Sequence, residues 1–236
     1  MDKLITITPV KDSLDTTKET IEAITSSSVS FPYYIFNDFS GPETKSFLEK
    51  SAKESGFNLI NMEDITDHPS PNYKLALQIS QQKALENNAG LLIIESDVKV
   101  KKDTIEKLLY YANTLENCGM VAAVTVDHDE NINFPYNHVS PEDPEIMDTN
   151  HSLSFCCTLL TPEFLKRFDF SELAETKDWY DVFISRSSIK LGFHNYLITS
   201  LKVLHQPHSS RPWKHLKYSN PLKYYFLKFF KRRDRI

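Results

Sequence analysis

Glycine is scarce in this sequence: there are five among 236 residues, and none precedes Gly41. A glycine-rich phosphate loop must bring bare backbone close to the phosphates near the first strand, so P-loop enzymes are excluded. Cysteine is scarcer still. Cys118 and the adjacent Cys156 and Cys157 make an odd number without C-x-x-C spacing, which excludes a disulfide scaffold and points to a reducing, cytoplasmic setting. No window reaches the roughly 18 apolar residues that span a bilayer. The opening "MDKLITITPV" lacks the charged start, long apolar centre and small-residue cleavage site of a signal peptide.

What is present describes a packed protein. Hydrophobic residues make up 40% and aromatics 12%, too many for a disordered or fibrous chain. The length fits one sizeable domain with an appendage. The net charge of −5 is unevenly spread: residues 211–236 hold nine Lys and Arg against the single acid Asp234, a balance of +8 that leaves −13 on residues 1–210. The expected division is therefore a domain over 1–210 and a basic tail over 211–236. In the tail, Asn220 suits an N-cap and Pro221 the first helical position. Leu222, Tyr225, Phe226, Phe229 and Phe230 recur at helical spacing, flanked by Lys223, Lys228, Lys231 and Arg232. Such a basic amphipathic helix fits an anionic membrane surface, or packs on its own domain with a solvated end. Nucleic acid is not an expected partner, because the rest of the chain is acidic.

Short β-like runs alternate with helical patterns through the first half. "LITIT", "YYIFN", "FNLIN", "LLII" and "MVAAVTV" read as strands. Between them lie a helix from Leu14, one over Pro42 to Glu54, one with Tyr73, Ala76, Leu77, Ser80 and Ala84 on one face, and one with Ile105, Leu108, Leu109, Ala112 and Leu115. This order predicts an α/β fold with a mostly parallel central sheet flanked by helices. From Asp127 to Asn150 the chain is polar, proline-rich and aperiodic, as a functional loop would be. "SFCCTLL", a short helix near Pro162, the helical "DWYDVFISRSSIKL" ended by Gly192, and the β-like "FHNYLIT" and "LKVLH" follow.

The segment "LLIIESDVKV" runs a buried strand straight into Glu95-Ser96-Asp97. Two carboxylates one residue apart at a strand end repel unless a cation is shared between them. A divalent ion relieves that repulsion and can bridge a diphosphate. Taken alone, the same triplet also describes a solvated acidic turn.

Its context resembles the strand-terminal DxD motif of GT-A (Rossmann-like) glycosyltransferases, specifically the inverting family 2. "ITITPV" is similar to that family's opening strand and turn, "YYIFNDFSG" to its second strand, "PNYKLALQISQQKALENNAG" to the helix before DxD, and "WYDVFISRSSIKLGFHNYLITSLKVLHQ" to its later segment. The resemblance covers about residues 3 to 210. It implies a nucleotide-sugar-binding half over 1–100 and an acceptor-binding half over 101–210.

Residue by residue, the resemblance implies that Thr8, Pro9 and Val10 line the base pocket and that Asn37 or Asp38 meets the base or ribose. Asn37 stands where the family usually has Asp. Lys74 meets the diphosphate or is a solvated helix lysine. Glu95, Ser96 and Asp97 form the DxD turn, with Asp97 and Glu95 as metal ligands and His205 completing the shell; His208 lies in the same loop. Asp181 is the base that deprotonates the acceptor, with Asp178 as its alternative; a helix-start carboxylate is the structural reading of Asp181. Trp179 and Tyr180 contribute to the acceptor platform or to the core.

The implied function is transfer of a sugar, with inversion, from a nucleotide-diphosphate sugar to a hydroxyl acceptor. The donor is a UDP-sugar, the cofactor Mn2+ or Mg2+, and the acceptor a glycan or lipid-linked glycan of a surface polysaccharide, met at the inner face of the membrane. A sugar nucleotidylyltransferase is excluded by the missing glycine-rich loop. The alternative is a degenerate, non-catalytic domain of the same fold that binds a nucleotide or glycan as a scaffold.

Overall fold

The computed structural model describes residues 3–140, 142–174, 179–206, 222 and 225. Along them run β1 (Leu4–Val10), α1 (Leu14–Thr25), β2 (Tyr33–Asn37), α2 (Pro42–Ser55), β3 (Asn58–Asn61), α3 (Tyr73–Glu86) and β4 (Gly90–Ile94). There follow β5 (Val98–Lys99), α4 (Thr104–Thr114), β6 (Cys118–Val126), β7 (Ile146–Asp148), β8 (Cys157–Leu160), α5 (Pro162–Arg167), α6 (Tyr180–Lys190) and β9 (His194–His205). Each strand and helix expected as far as Val126 is present, and the fold is α/β.

All the strands join one sheet in the order β3-β2-β1-β4-β8-β6-β9-β5, with β7 also on β9. From β3 to β4 the pairing is parallel, as strands linked by helical crossovers must be. Beyond β4 the expectation of a mostly parallel sheet gives way to a mixed one. β8 runs antiparallel to β4 and β6, and β5 and β7 run antiparallel to β9, which is itself parallel to β6. β5, β7 and β8 are entered from loops and turns, which leaves them free to run the other way.

Both faces of the sheet are covered, so its central strands are apolar at consecutive positions. Ile5, Ile7, Leu91, Ile93, Met120 and Ala122 face one core, with α3, α5 and α6. Leu4, Val10, Leu92, Ile94, Val121 and Ala123 face the other, with α1, α2 and α4. Each fully buried aliphatic side chain contributes about 1.5–3 kcal/mol, which anchors the strand ends that carry the polar site. Gly192, at φ 85°, closes α6 in a left-handed conformation that favours glycine.

The region Asp127 to Asn150 is less irregular than its sequence. It contains β7, and buried Tyr136 and Val139 pin it to the core. Among the described residues no helix is long and apolar enough to cross a membrane. Asp178, His208 and the basic aromatic stripe lie outside the described residues, apart from Leu222 and Tyr225, which are helical and exposed.

Candidate active site

β1 has β2 on one side and β4 on the other, so the strand order reverses there. The carboxyl edge at such a reversal is where open α/β sheets hold ligands. β4 ends on this edge at Ile94, and the turn over Glu95 to Asp97 is closed by the Val98 amide donating to the Glu95 carbonyl at 3.2 Å. The Glu95 amide donates to the Cys156 carbonyl at 3.2 Å, which brings in the start of β8. Val98 pairs with His205, which brings in the end of β9.

These contacts gather Glu95, Asp97, Cys156 and His205. His205 Nε2 lies 3.5 Å from Asp97 Oδ2, and its Nδ1 lies 2.7 Å from the Phe134 carbonyl oxygen. That acceptor holds a proton on Nδ1 and turns Nε2 toward the carboxylates. Asn133 Nδ2 donates to the His205 carbonyl at 3.0 Å and fixes the same segment. The Cys156 thiol donates to Glu95 Oε2 at 3.4 Å and lies 3.9 Å from His205 Nε2. Asp97 and His205 keep only 7% and 4% of their surface exposed, whereas Glu95 retains part of its surface.

Crowding of acids shapes the electrostatics. Burial first, and the Asp97 charge second, push Glu95 up to about 7, against the opposing pull of His205. Burial lowers His205, but the Asp97 contact, the Phe134 carbonyl and Glu95 outweigh it, so the imidazole is raised. Burial and the Glu95 charge lift the Cys156 thiol well above its ordinary value. Burial also raises Asp181, against the Val182 amide that donates to its Oδ1 at 2.8 Å. The Asp181 charge raises both Glu95 and Tyr73, which puts it in the electrostatic reach of the cluster.

A divalent cation suits this donor set. Two carboxylates and an imidazole aimed from behind by a backbone carbonyl are the oxygen and nitrogen ligands such an ion takes. Its charge would offset the repulsion that lifts Glu95.

The remaining expected site residues are more scattered in role. Thr8 is fully buried, and its hydroxyl accepts from Tyr33 at 2.9 Å. Val10 is buried and Pro9 half-buried at the end of β1. Asn37 is buried, donating to Asn61 Oδ1 at 2.9 Å and accepting from the Ser40 amide at 3.2 Å. Asp38 accepts from Ser70 Oγ at 2.6 Å and from the amide and Nδ2 of Asn72 at 3.0 and 2.8 Å, which ties that loop over the end of β2. Lys74 is half-buried in the first turn of α3, and Ser96 is buried within the turn. Trp179 is 66% exposed at the start of α6, whereas Tyr180 is buried, its ring 6.1 Å from that of Tyr73.

Sequence reasoning missed Cys156 and Phe134. Cys156 carries no metal-ligand spacing, and only the antiparallel return of β8 beside β4 brings it to Glu95. Phe134 acts through its carbonyl, which any residue type supplies.

No protein-family model matches the sequence, and no curated protein matches it. Solved structures do. A mannosyltransferase, PcManGT of Pyrobaculum calidifontis in complex with GDP-Man and Mn2+, superposes with a TM-score of 0.62 at 13% identity over 97% of this chain and 64% of its own. S. aureus TarS 1-349 in complex with UDP-GlcNAc gives 0.66 at 14% identity over 89% and 60%. GalNAc-T7 with UDP, GalNAc and Mn2+ gives 0.65 at 11% identity over 88% and 44%. The fold is therefore that of GT-A glycosyltransferases. This chain spans less than two thirds of the length of each of these proteins.

Proposed function

We propose that the protein transfers a sugar from a nucleotide-diphosphate sugar, a UDP-sugar in the first instance, to a hydroxyl of a glycan or lipid-linked glycan, inverting the anomeric centre. The observation that carries this reading is the gathering of Glu95, Cys156 and His205, with Asp97 against His205, at the reversal of strand order, and Asp181 in electrostatic reach. Asp97, Glu95 and His205 would hold a divalent cation, Mn2+ or Mg2+, whose charge would stabilise the departing diphosphate. The backbone of Pro9 and Val10, with the loop tied down by Asp38, borders the space for the base and ribose, and Lys74 supplies a further positive charge for the phosphates.

Asp181 takes the proton from the acceptor hydroxyl. The freed oxygen attacks the anomeric carbon from the face opposite the nucleotide, and the bond from that carbon to the diphosphate oxygen breaks. Burial of Asp181 raises its affinity for this proton, which suits a general base working nearer neutral pH than an ordinary aspartate. The exposed Trp179 offers the acceptor an aromatic face.

A panel of nucleotide sugars incubated with Mn2+, Mg2+ or EDTA tests this reading. Metal-dependent release of the nucleoside diphosphate from one donor supports it. Tight donor binding without release under any acceptor or metal condition would favour the non-catalytic scaffold instead.

A further inference from the structure

We propose that Cys156 is itself a ligand of the cation, together with Glu95 and His205, and that the site therefore takes thiophilic divalent ions, Zn2+ or Co2+, ahead of Mn2+ and Mg2+. The proposal shares its site with the transfer reaction but stands on the cluster alone.

The distances carry it. Glu95 Oε2 is 3.4 Å from Cys156 Sγ, Sγ is 3.9 Å from His205 Nε2, and Nε2 is 3.5 Å from Asp97 Oδ2. Four donors bound tetrahedrally, at ~2.0 Å for nitrogen and oxygen and ~2.3 Å for sulfur, stand ~3.3–3.6 Å apart. The Glu95–Cys156 and His205–Asp97 separations already match such edges, and the Cys156–His205 separation of 3.9 Å closes to one with a shift of a few tenths of an ångström. The Glu95, Cys156 and His205 ligand atoms all lie within 4.8 Å of one another. An oxygen of a bound diphosphate supplies the fourth vertex, and Asp97, 3.5 Å from His205 Nε2, orients the imidazole beside it.

The sulfur is also held firmly. Ile94 pairs with Cys157, and the Glu95 amide donates to the Cys156 carbonyl, so Glu95 directly follows one strand and Cys156 directly precedes its neighbour, each fixed at the end of a paired strand. Ligands fixed at the ends of paired strands keep their geometry better than ligands carried on free loops. A thiolate prefers zinc-class ions, whereas Mn2+ and Mg2+ prefer oxygen. On coordination the thiol proton leaves to water, and the sulfur binds as thiolate.

The test needs no sugar. The full-length protein, stripped of metal, is titrated with Co2+, and its absorption is followed. The expected result is a thiolate-to-cobalt charge-transfer band in the near ultraviolet that Cys156→Ser removes and that Cys118→Ser and Cys157→Ala leave in place. In competition, Zn2+ displaces Mn2+, read by the free-Mn2+ electron paramagnetic resonance signal. The preference falls in Cys156→Ser by at least the ~10–100-fold typical of losing an outer-shell partner of a metal ligand.

Cobalt binding without the band, a band that survives Cys156→Ser, no cobalt binding at all, or Mn2+ held against Zn2+ would each overturn the proposal. Should Cys156→Ser fail to fold, the wild-type band and its persistence in the other two cysteine variants decide. A band in a protein that transfers no sugar with any metal would sink the transferase reading and leave this one standing.

Discussion

Val98 and His205 are register partners across the antiparallel pair of β5 and β9, and this pairing sets an imidazole beside Asp97. One step further along, the Gln206 amide donates to the Asp97 carbonyl at 2.9 Å. A slip of one residue would turn His205 to the opposite face of the sheet. A two-residue strand thus joins the acidic turn to the last strand and assembles the donor set.

Metal binding is expected to strengthen as pH rises through about 7. Glu95 titrates at about 7, because of burial and Asp97, and His205 is raised as well; both must lose protons to act as ligands. Apparent Mn2+ affinity should rise by up to ~10-fold per pH unit for each proton displaced. Calorimetry at pH values on either side of neutrality checks this.

Stability without metal should move the other way. A buried acid with a raised pKa binds more protons folded than unfolded, so its contribution falls as pH climbs from the ordinary glutamate value to about 7. In EDTA, Glu95→Gln should therefore raise the melting temperature above pH 7 and change it little at the ordinary glutamate pKa.

Asp181→Asn should reduce acceptor-dependent turnover by ~10²–10⁴-fold while donor affinity is kept, since a base touches the acceptor hydroxyl. Wild-type turnover should rise with pH through the raised Asp181 pKa. Parallel losses of turnover and donor binding would make Asp181 a structural residue.

Gly119→Ala should destabilise the fold by about 1–3 kcal/mol, measured by urea unfolding. An added Cβ would lie 2.3 Å from Ser188 Oγ and 2.6 Å from Phe193 Cβ. The hydroxyl can rotate away, but the Phe193 Cβ moves only with its backbone.

The parallel half was legible because each of its elements has a local period. Ala76, Leu77, Ser80 and Ala84 do lie on the buried face of α3, and Tyr73 packs half-buried against the same core. The acidic turn was legible as a break at the end of an apolar strand. β5, β7 and the placement of Cys156 were not, because antiparallel pairing between distant segments leaves no local pattern. "FHNYLIT" and "LKVLH" read as two runs but form one strand: Ala123 pairs with Ile198 and Val124 with Lys202, and the residues between bulge out.

We also propose, from the charge and helical spacing of the tail, that residues 211–236 bind anionic membranes. Deleting Pro221 to Ile236 should abolish co-sedimentation with anionic vesicles at low salt, and high salt should weaken that of the full chain. Equal vesicle binding by both proteins would refute it.

The most direct test of the central claim compares wild type with Asp97→Asn for Mn2+-dependent release of nucleoside diphosphate from the active donor, with circular dichroism melting alongside. The account predicts that the variant still folds and melts cooperatively, since relief of the Glu95 repulsion offsets loss of the His205 contact, and that its metal-dependent turnover is lost. Wild-type turnover with unchanged metal dependence in Asp97→Asn would contradict it.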